Sequence, residues 1–211
     1  MREYEVKSVH VGQPKQMENY EKKIWSAIDK KATDQDIFLS YTGLEGDAQA
    51  NLIHHGGPDK ALCLYSEEHY SYWNDELGLD FAAAAFGENV TLQGLTEPEV
   101  HIGDVFKWGE AKIQVTQPRQ PCFKLAIKHG VPEMVLKVQQ TGYTGFYCRV
   151  LQEGRVSVRD RFVLERQDDG GITIALANQI MFHDKLNLDG ARRILAVEAL
   201  SASWRETLSK R

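Results

Sequence analysis

The sequence has none of the features typical of a secreted, membrane-spanning or general nucleic-acid-binding protein. Its N-terminus, MREYEVKSVHVGQP, contains no apolar stretch long enough for a signal peptide. No apolar run elsewhere approaches the ~20 residues that a membrane-spanning helix needs. The formal net charge is −5, whereas a general nucleic-acid binder is normally basic. We therefore expect a soluble, cytoplasmic protein that binds neither membranes nor nucleic acids.

Cysteine is sparse as well. The chain has three cysteines, Cys63, Cys122 and Cys148, which lie far apart and form no CxxC pair. Such a set without a secretion signal favours reduced thiols, and the lack of paired-ligand spacing argues against a structural zinc site. Cys63 in ALCLY and Cys148 in FYCRV lie within apolar, strand-like runs, so we expect both to be core residues.

The 211 residues can form one domain with a small appendage. Before DDGG at residues 168–171, short segments with β-like alternation recur between turn residues. KIQVT, which ends at Thr116, places Ile113 and Val115 on one face, and FKWGEAKIQV predicts a hairpin that turns at Gly109. Many short strands with glycine turns are typical of a barrel or a sandwich rather than a parallel sheet.

Two helices are predicted within this β region. In YSEEHYSYWNDELG, Ser66 is a candidate N-cap and Gly78 supplies the stop. In VPEMVLKVQQTG, Pro132 suits the first helical position and Gly142 ends the helix.

After Gly171 the pattern becomes helical. One helix is predicted over residues 173–183, Asp189 can cap a second, and SWRE forms a Ser-x-x-Glu capping box at residues 203–206 that opens a third. Three short helices have the size of a DNA-binding helix-turn-helix unit. A DNA reader needs a wider basic face than Arg192 and Arg193 provide, so that interpretation is disfavoured.

The segment TQPRQPCFKL places a thiol in a rigid, cationic setting. Pro118 and Pro121 fix their own φ angles and favour extended geometry in the residues before them. Arg119 and Lys124 bring positive charge close to Cys122, and positive charge favours the nucleophilic, metal-binding thiolate. The local sequence leaves two readings open: a reactive or ligating thiol, or one more buried small hydrophobe.

A second unusual stretch is GLEGDAQANLIHHGGPDKALCLY. Glycines at this density permit close approach of the backbone to a ligand, and Lys60 could add charge to an anion site. His54 and His55 point in different directions in an extended chain, so at most one faces a given site. The stretch lacks the context of a nucleotide-binding glycine loop, and two solvated surface turns remain the simpler alternative. In FGENVTLQGL, Asn89 alone indicates only a local turn.

Taken together and in this order, GLEGDAQANLIHHGGPDKAL, GENV, GDVFKWG and TQPRQPCFKLA resemble the MOSC-domain family, in its YiiM-type branch. The resemblance covers roughly residues 30 to 165, and LANQIMFHDKLNLDGARRILAVEALSASWRETL resembles the three-helix module of that branch. It implies a mainly β fold with α: a MOSC β-barrel domain over residues 1–168, with its core at about 30–165, and a three-helix module over residues 172–211.

The resemblance also implies a site for the molybdenum cofactor, a pterin that holds the metal through a dithiolene and carries a phosphate. Cys122 is the implied metal ligand and catalytic residue, and a soft thiolate suits that metal. The implied cofactor-binding residues carry polar or charged side chains: Arg119, Lys60, Lys124, His55 and Asn89. Without the cofactor, phosphate or another anion is expected near Arg119 and Lys60. Family members often carry an acidic residue where this chain has Asn51.

The activity implied by the resemblance is reduction of N-hydroxylated compounds, including N-hydroxylated purine bases, to amines. No flavin or nicotinamide fingerprint is present, so the implied partners are a small N-hydroxylated substrate and a separate electron-donating reductase. A homodimer is compatible with the sequence. Two alternatives stay open: a sulfur carrier with a persulfide on Cys122, and a non-catalytic module that binds a cofactor or an anion.

Overall fold

The computed structural model describes residues 2–19, 22–51 and 56–211. The strands in these residues are β1 (Glu3–Val11), β2 (Lys15–Asn19), β3 (Lys22–Ser26), β4 (Lys31–Ala32), β5 (Ile37–Ser40), β6 (Gly43–Leu44), β7 (Leu62–Ser66), β8 (Val90–Gln93), β9 (Val105–Trp108), β10 (Ala111–Pro118), β11 (Phe146–Gln152), β12 (Gly154–Val156) and β13 (Phe162–Arg166). The α-helices are α1 (His69–Leu77), α2 (Phe123–His129), α3 (Met134–Thr141), α4 (Ile174–Asn178), α5 (Leu188–Ala196) and α6 (Ala202–Leu208). None of the helices in this part of the chain is long and apolar enough to cross a membrane.

Seven strands close into a barrel in the order β13, β9, β10, β11, β7, β8 and β1. The barrel closes where β1 pairs with β13, with Glu3 opposite Val163 and Tyr4 opposite Phe162. Its pairings are antiparallel apart from β7 with β8, which is parallel. The alternating segments and glycine turns predicted a barrel or a sandwich, and the β-barrel core with a C-terminal helical module, which the family resemblance implied, is confirmed. The hairpin at Gly109 is also confirmed, and it joins β9 to β10.

One hydrophobic core connects the barrel to the C-terminal helices. Ile113 and Val115 of β10 point into it, as the alternation predicted. Trp204 and Leu208 of α6 belong to the same buried cluster. A second cluster, centred on Trp73, packs α1 and α3 against the outside of the barrel. The helical module thus shares its hydrophobic core with the barrel.

The predicted helix ends are confirmed in the β region, but both predicted starts are wrong: Pro132 lies two residues before α3, which begins at Met134. Gly78 ends α1 and Gly142 ends α3, both in left-handed conformation, which glycine adopts without strain. Ser66 is not an N-cap. It is the last residue of β7, where it pairs with Leu92, and its hydroxyl donates to the Leu95 carbonyl. Sheet pairing therefore delays the start of α1 to His69.

All three C-terminal helices exist, and the second and third start earlier than predicted. The helix predicted over residues 173–183 is confirmed: Thr173 caps α4, and a π-helical turn over Gln179–His183 continues it. Asn187 caps α5 by accepting from the Gly190 N–H at 2.7 Å, whereas Asp189 lies in the first turn and pairs with Arg192. The predicted N-cap was therefore two residues late.

The capping box predicted at residues 203–206 is also wrong. Ser201 caps α6, because its hydroxyl accepts from the Trp204 N–H at 3.3 Å. Starting the helix at Ala202 places Trp204 and Leu208 on one inward face. Ser203 and Glu206 lie on the outer face of α6, where they border the candidate functional site.

Candidate functional site

Most of the sequence-predicted site residues line one cavity, here called the inner cavity. It has a volume of about 80 Å³. Its walls include Arg119, Cys122, Lys60, Lys124 and Asn89. His55 and its neighbour His54 lie outside the described residues. The TQPRQPCFKL and GENV segments and Lys60, distant in sequence, are thus brought to one place, while the roles assigned to these residues stay predictions.

Cys122 lies at the junction of a strand and a helix. β10 was predicted to end at Thr116 but continues to Pro118, and the segment from Arg119 to Pro121 then leads into α2. Cys122 is the N-cap residue of α2, with extended backbone (φ −122°, ψ 160°), and its carbonyl accepts from Leu125 at 3.0 Å. The sequence reading missed this short helix. Its position leaves the thiol half-buried at the cavity wall.

Arg119 is the most deeply held cation of the cavity. It is 5% exposed, and its backbone N–H donates to Gly145 O at 3.0 Å. One guanidinium nitrogen, Nη2, donates to Phe86 O at 2.8 Å. The other, Nη1, is buried and has no hydrogen-bond partner within the described part of the chain. A buried donor without a partner is costly, which is typical of a site built to receive an acceptor.

The GENV segment explains how that guanidinium is held. The Glu88 carboxylate is fully buried and accepts from the backbone N–H groups of Ala84 at 2.7 Å and Phe86 at 3.0 Å. These bonds fix the loop whose Phe86 carbonyl receives Arg119. Glu88 was not singled out from the sequence, although its place beside Asn89 was a usable signal.

Asn89 connects two parts of the cavity wall through side-chain hydrogen bonds. Its Oδ1 accepts from the Cys63 N–H at 3.1 Å, and its Nδ2 donates to Asp47 Oδ2 at 2.8 Å. Asp47 also accepts from the Gly12 N–H at 2.8 Å and forms an ion pair with Lys30. Asp47 and Lys30 were not predicted as site residues. Lys30 had no sequence signal, because folding alone brings it to the glycine-rich stretch.

Lys60 and Lys124 also line the cavity, and their side chains have different surroundings. Burial lowers the pKa of Lys60, and its Nζ lies 6.0 Å from the centre of the Tyr147 ring. The Nζ of Lys124 donates to the Trp25 carbonyl at 3.1 Å. With Arg119, these side chains give the cavity a positive lining despite the negative net charge of the chain.

The two other cysteines are buried, as the apolar context predicted. Burial raises the pKa of Cys63 to about 12, so its thiol stays neutral even though it borders the inner cavity. Burial also raises the pKa of Cys148, which is enclosed in the main core. Cys122 differs from both in its partial exposure.

The inner cavity adjoins a wider space, here called the outer chamber, of about 740 Å³. Cys122, Lys60, Lys124 and Tyr147 border both spaces. The outer chamber extends past Trp25, Asn51, Gln117 and Phe123 to α6, where Ser203, Glu206, Thr207 and Lys210 line it.

Among the described residues, no three His, Cys, Asp or Glu side chains are grouped so that they could hold a metal ion.

Comparison with known proteins identifies the family. Residues 51–163 match the family model of the MOSC domain, and residues 172–211 match that of the YiiM-like, 3-alpha helix domain. The chain belongs to the YiiM-like proteins of the MOSC family. It is 52% identical over 208 residues to the uncharacterized protein YflK of Bacillus subtilis, with 99% of this chain and 94% of the relative covered.

Other relatives agree with this assignment. The chain is 43% identical over 190 residues to protein YiiM of Escherichia coli, covering 88% of this chain and 84% of that protein. The crystal structure of YiiM from Geobacillus stearothermophilus has a TM-score of 0.85 and 40% identity, with 98% of each chain covered. A longer Gibberella moniliformis protein named "Reductase" is 35% identical over 148 residues, which are 68% of this chain and 26% of that protein.

Proposed function

We propose that this protein is a molybdenum-cofactor-dependent reductase of N-hydroxylated compounds, such as N-hydroxylated purine bases. The observation that carries the proposal is the buried, unpartnered Nη1 of Arg119 in a cationic cavity that Cys122 also borders. Membership of the MOSC family and a relative named "Reductase" support the reaction class.

The inner cavity fits the anionic end of such a cofactor. At ~30 Å³ for each water molecule, a volume of about 80 Å³ corresponds to roughly two to three waters, the scale of a small anion such as phosphate. Arg119 would donate to phosphate oxygens through Nη1, and charge-assisted bonds of this kind are the strong ones in proteins. Lys60 and Lys124 would add positive charge from the opening.

The Cys122 thiolate would supply the protein ligand to the metal, and the cofactor would supply its other sulfur ligands. When bound, the cofactor would supply two-electron redox chemistry beside Cys122. The overall change breaks one N–O bond: the N-hydroxy group, two electrons and two protons give an amine and water. The electrons come from a separate reductase, since the chain carries no nucleotide-binding glycine motif.

The residues of the chain prepare this reaction by position and charge. Cys122 borders both the inner cavity and the outer chamber, so a centre held there is open to a substrate in the chamber. The ammonium groups of Lys60 and Lys124 border the same opening and can donate hydrogen bonds to a substrate oxygen.

The test is metal analysis of protein produced in a host that makes the molybdenum cofactor. Wild type is expected to hold close to one molybdenum per chain and to reduce N-hydroxylated compounds with a chemical electron donor. C122A should lose most of the molybdenum, whereas C63A, which removes the neutral thiol of the wall, should keep it. Equal molybdenum in wild type and C122A would refute the ligand assignment.

The two alternatives give different results in the same preparation. A sulfur carrier would take labelled sulfur from a cysteine desulfurase onto Cys122 and hold no molybdenum. A binding module would hold molybdenum at full occupancy but reduce no hydroxylamine. Either result would contradict the proposed reductase.

A further inference from the structure

The last helix of the module forms a wall of the outer chamber. The side chains of α6 that line the chamber follow helical spacing: Ser203, Glu206, Thr207 and, just past the helix, Lys210. The opposite face carries Trp204 and Leu208, which are buried in the core. The position of this polar wall is therefore fixed by packing.

Two exposed aromatic side chains border the same chamber. Trp25 is 61% exposed and Phe123 is 57% exposed, and both line it. The other three tryptophans, Trp73, Trp108 and Trp204, are fully buried. Exposed aromatic rings in a concave site are suited to stacking against a planar ligand.

The polar wall supplies hydrogen-bond acceptors. Lys210 donates to Glu206 Oε1 at 2.7 Å, and this bond lowers the pKa of Glu206 and keeps it ionised. Gln117 is engaged from the same helix, because Ser203 Oγ donates to Gln117 Oε1 at 3.1 Å. An ionised carboxylate accepts hydrogen bonds and donates none, so Glu206 suits a ligand group that carries N–H.

We propose that the outer chamber, with α6 of the three-helix module as one wall, determines substrate specificity in the proposed reductase by holding a flat, N–H-bearing ring. Trp25 and Phe123 stack on the ring, and Glu206 accepts from its N–H groups. Aromatic N-hydroxylated bases are then preferred over aliphatic hydroxylamines. The proposal rests on the reductase function proposed above, but it concerns different residues.

Binding to the full-length chain tests it directly. 6-N-hydroxylaminopurine should change the emission of Trp25, the exposed tryptophan, whereas N-cyclohexylhydroxylamine should not. In equilibrium dialysis, W25A and F123A should each bind the purine roughly tenfold more weakly, since each variant removes a ring on which the base stacks. E206Q should bind it several-fold more weakly, because it loses a charge-assisted acceptor.

Matched controls separate these effects from general perturbation. Tyr41 is an exposed aromatic residue outside the chamber, and Asp189 is an exposed, ion-paired carboxylate on α5. Y41A and D189N should bind the purine as wild type does. In the cofactor-loaded enzyme, W25A, F123A and E206Q should raise KM for the purine and leave KM for the aliphatic compound unchanged.

Three outcomes would overturn the proposal: equal binding of the two compounds, unchanged affinity in the three variants, or loss of molybdenum in these variants, which would make the wall part of the cofactor site. Failure of the reductase function itself looks different. In that case no hydroxylamine is reduced, while the dialysis result still decides whether the chamber binds the ring.

Discussion

Lys30 and Asp47 form a buried ion pair in the wall of the inner cavity, with their side chains 7% and 1% exposed. Asp47 also joins this wall to Asn89 and to the Gly12 backbone. D47A would leave the Lys30 charge buried without its partner, which typically costs ~3–5 kcal/mol. We expect a loss in the free energy of unfolding of about 3 kcal/mol, measured by urea denaturation.

The double variant K30M/D47A should be more stable than D47A, because it also removes the stranded charge. D36A is the surface control: it breaks an exposed pair with Arg159 and should leave the free energy of unfolding almost unchanged. Equal free energies of unfolding for D47A and D36A would show that the buried pair does not stabilise the fold.

Cys122 should be the fast-reacting thiol of the native protein. It is half-buried, whereas Cys63 and Cys148 are buried and their pKa values are raised by burial. A chromogenic disulfide reagent should therefore titrate about one thiol per native chain and three after unfolding. In C122A the fast phase should disappear, and a fast phase that persists would show that another thiol is accessible.

Trp204 should hold the helical module to the barrel. It is fully buried in the cluster that both share. W204A should lower the free energy of unfolding by ~3–5 kcal/mol, as is usual for a large buried aromatic side chain. W204F keeps most of the packing and should cost much less. We expect wild type to unfold in one transition, with circular dichroism and fluorescence giving the same midpoint.

Stability should decrease as the pH falls through the ordinary histidine range. Burial lowers the pKa of His10 and of His129 from about 6.5, so the folded state binds protons more weakly than the unfolded state there. The stability contributed by the neutral rings is present above about pH 6.5 and is lost below it, down to the lowered folded pKa values.

The comparison of variants identifies the histidines responsible. H129Q should show a weaker loss of stability between neutral and mildly acidic pH than wild type. H183Q replaces an exposed histidine and should follow the wild-type curve. A wild-type curve that is flat over this range would contradict the assignment.

The strands and the helix ends could be predicted from residue patterns because their signals are local, whereas only the resemblance to the MOSC family distinguished a barrel from a sandwich. Alternating apolar residues in KIQVT and the left-handed glycines Gly78 and Gly142 act within a few residues of the chain. Helix starts were less predictable. Ser66 has the side chain of a cap, but its backbone was already engaged in a sheet.

The site residues that belong to sequence motifs could be predicted. The site residues that only tertiary packing brings to the cavity could not. Arg119 and Cys122 lie in an unusual segment, and their presence in one cavity agrees with that signal. Lys30, Trp25 and Glu206 carry no local signal, because only tertiary packing brings them to the cavity and the chamber. α2 was missed because seven residues between a proline and a glycine give little helical periodicity.

Asp59 links the barrel to the helical module through hydrogen bonds to both. One carboxylate oxygen accepts from Arg149 Nη2 of β11 at 2.7 Å, and the other accepts from the Ala202 N–H at the start of α6 at 2.9 Å. Its neighbour in the chain, Lys60, borders the inner cavity and the outer chamber. A module transplanted from a relative would therefore have to match both the barrel core and this anchor, so the two parts are expected to diverge together and to be inherited as a unit.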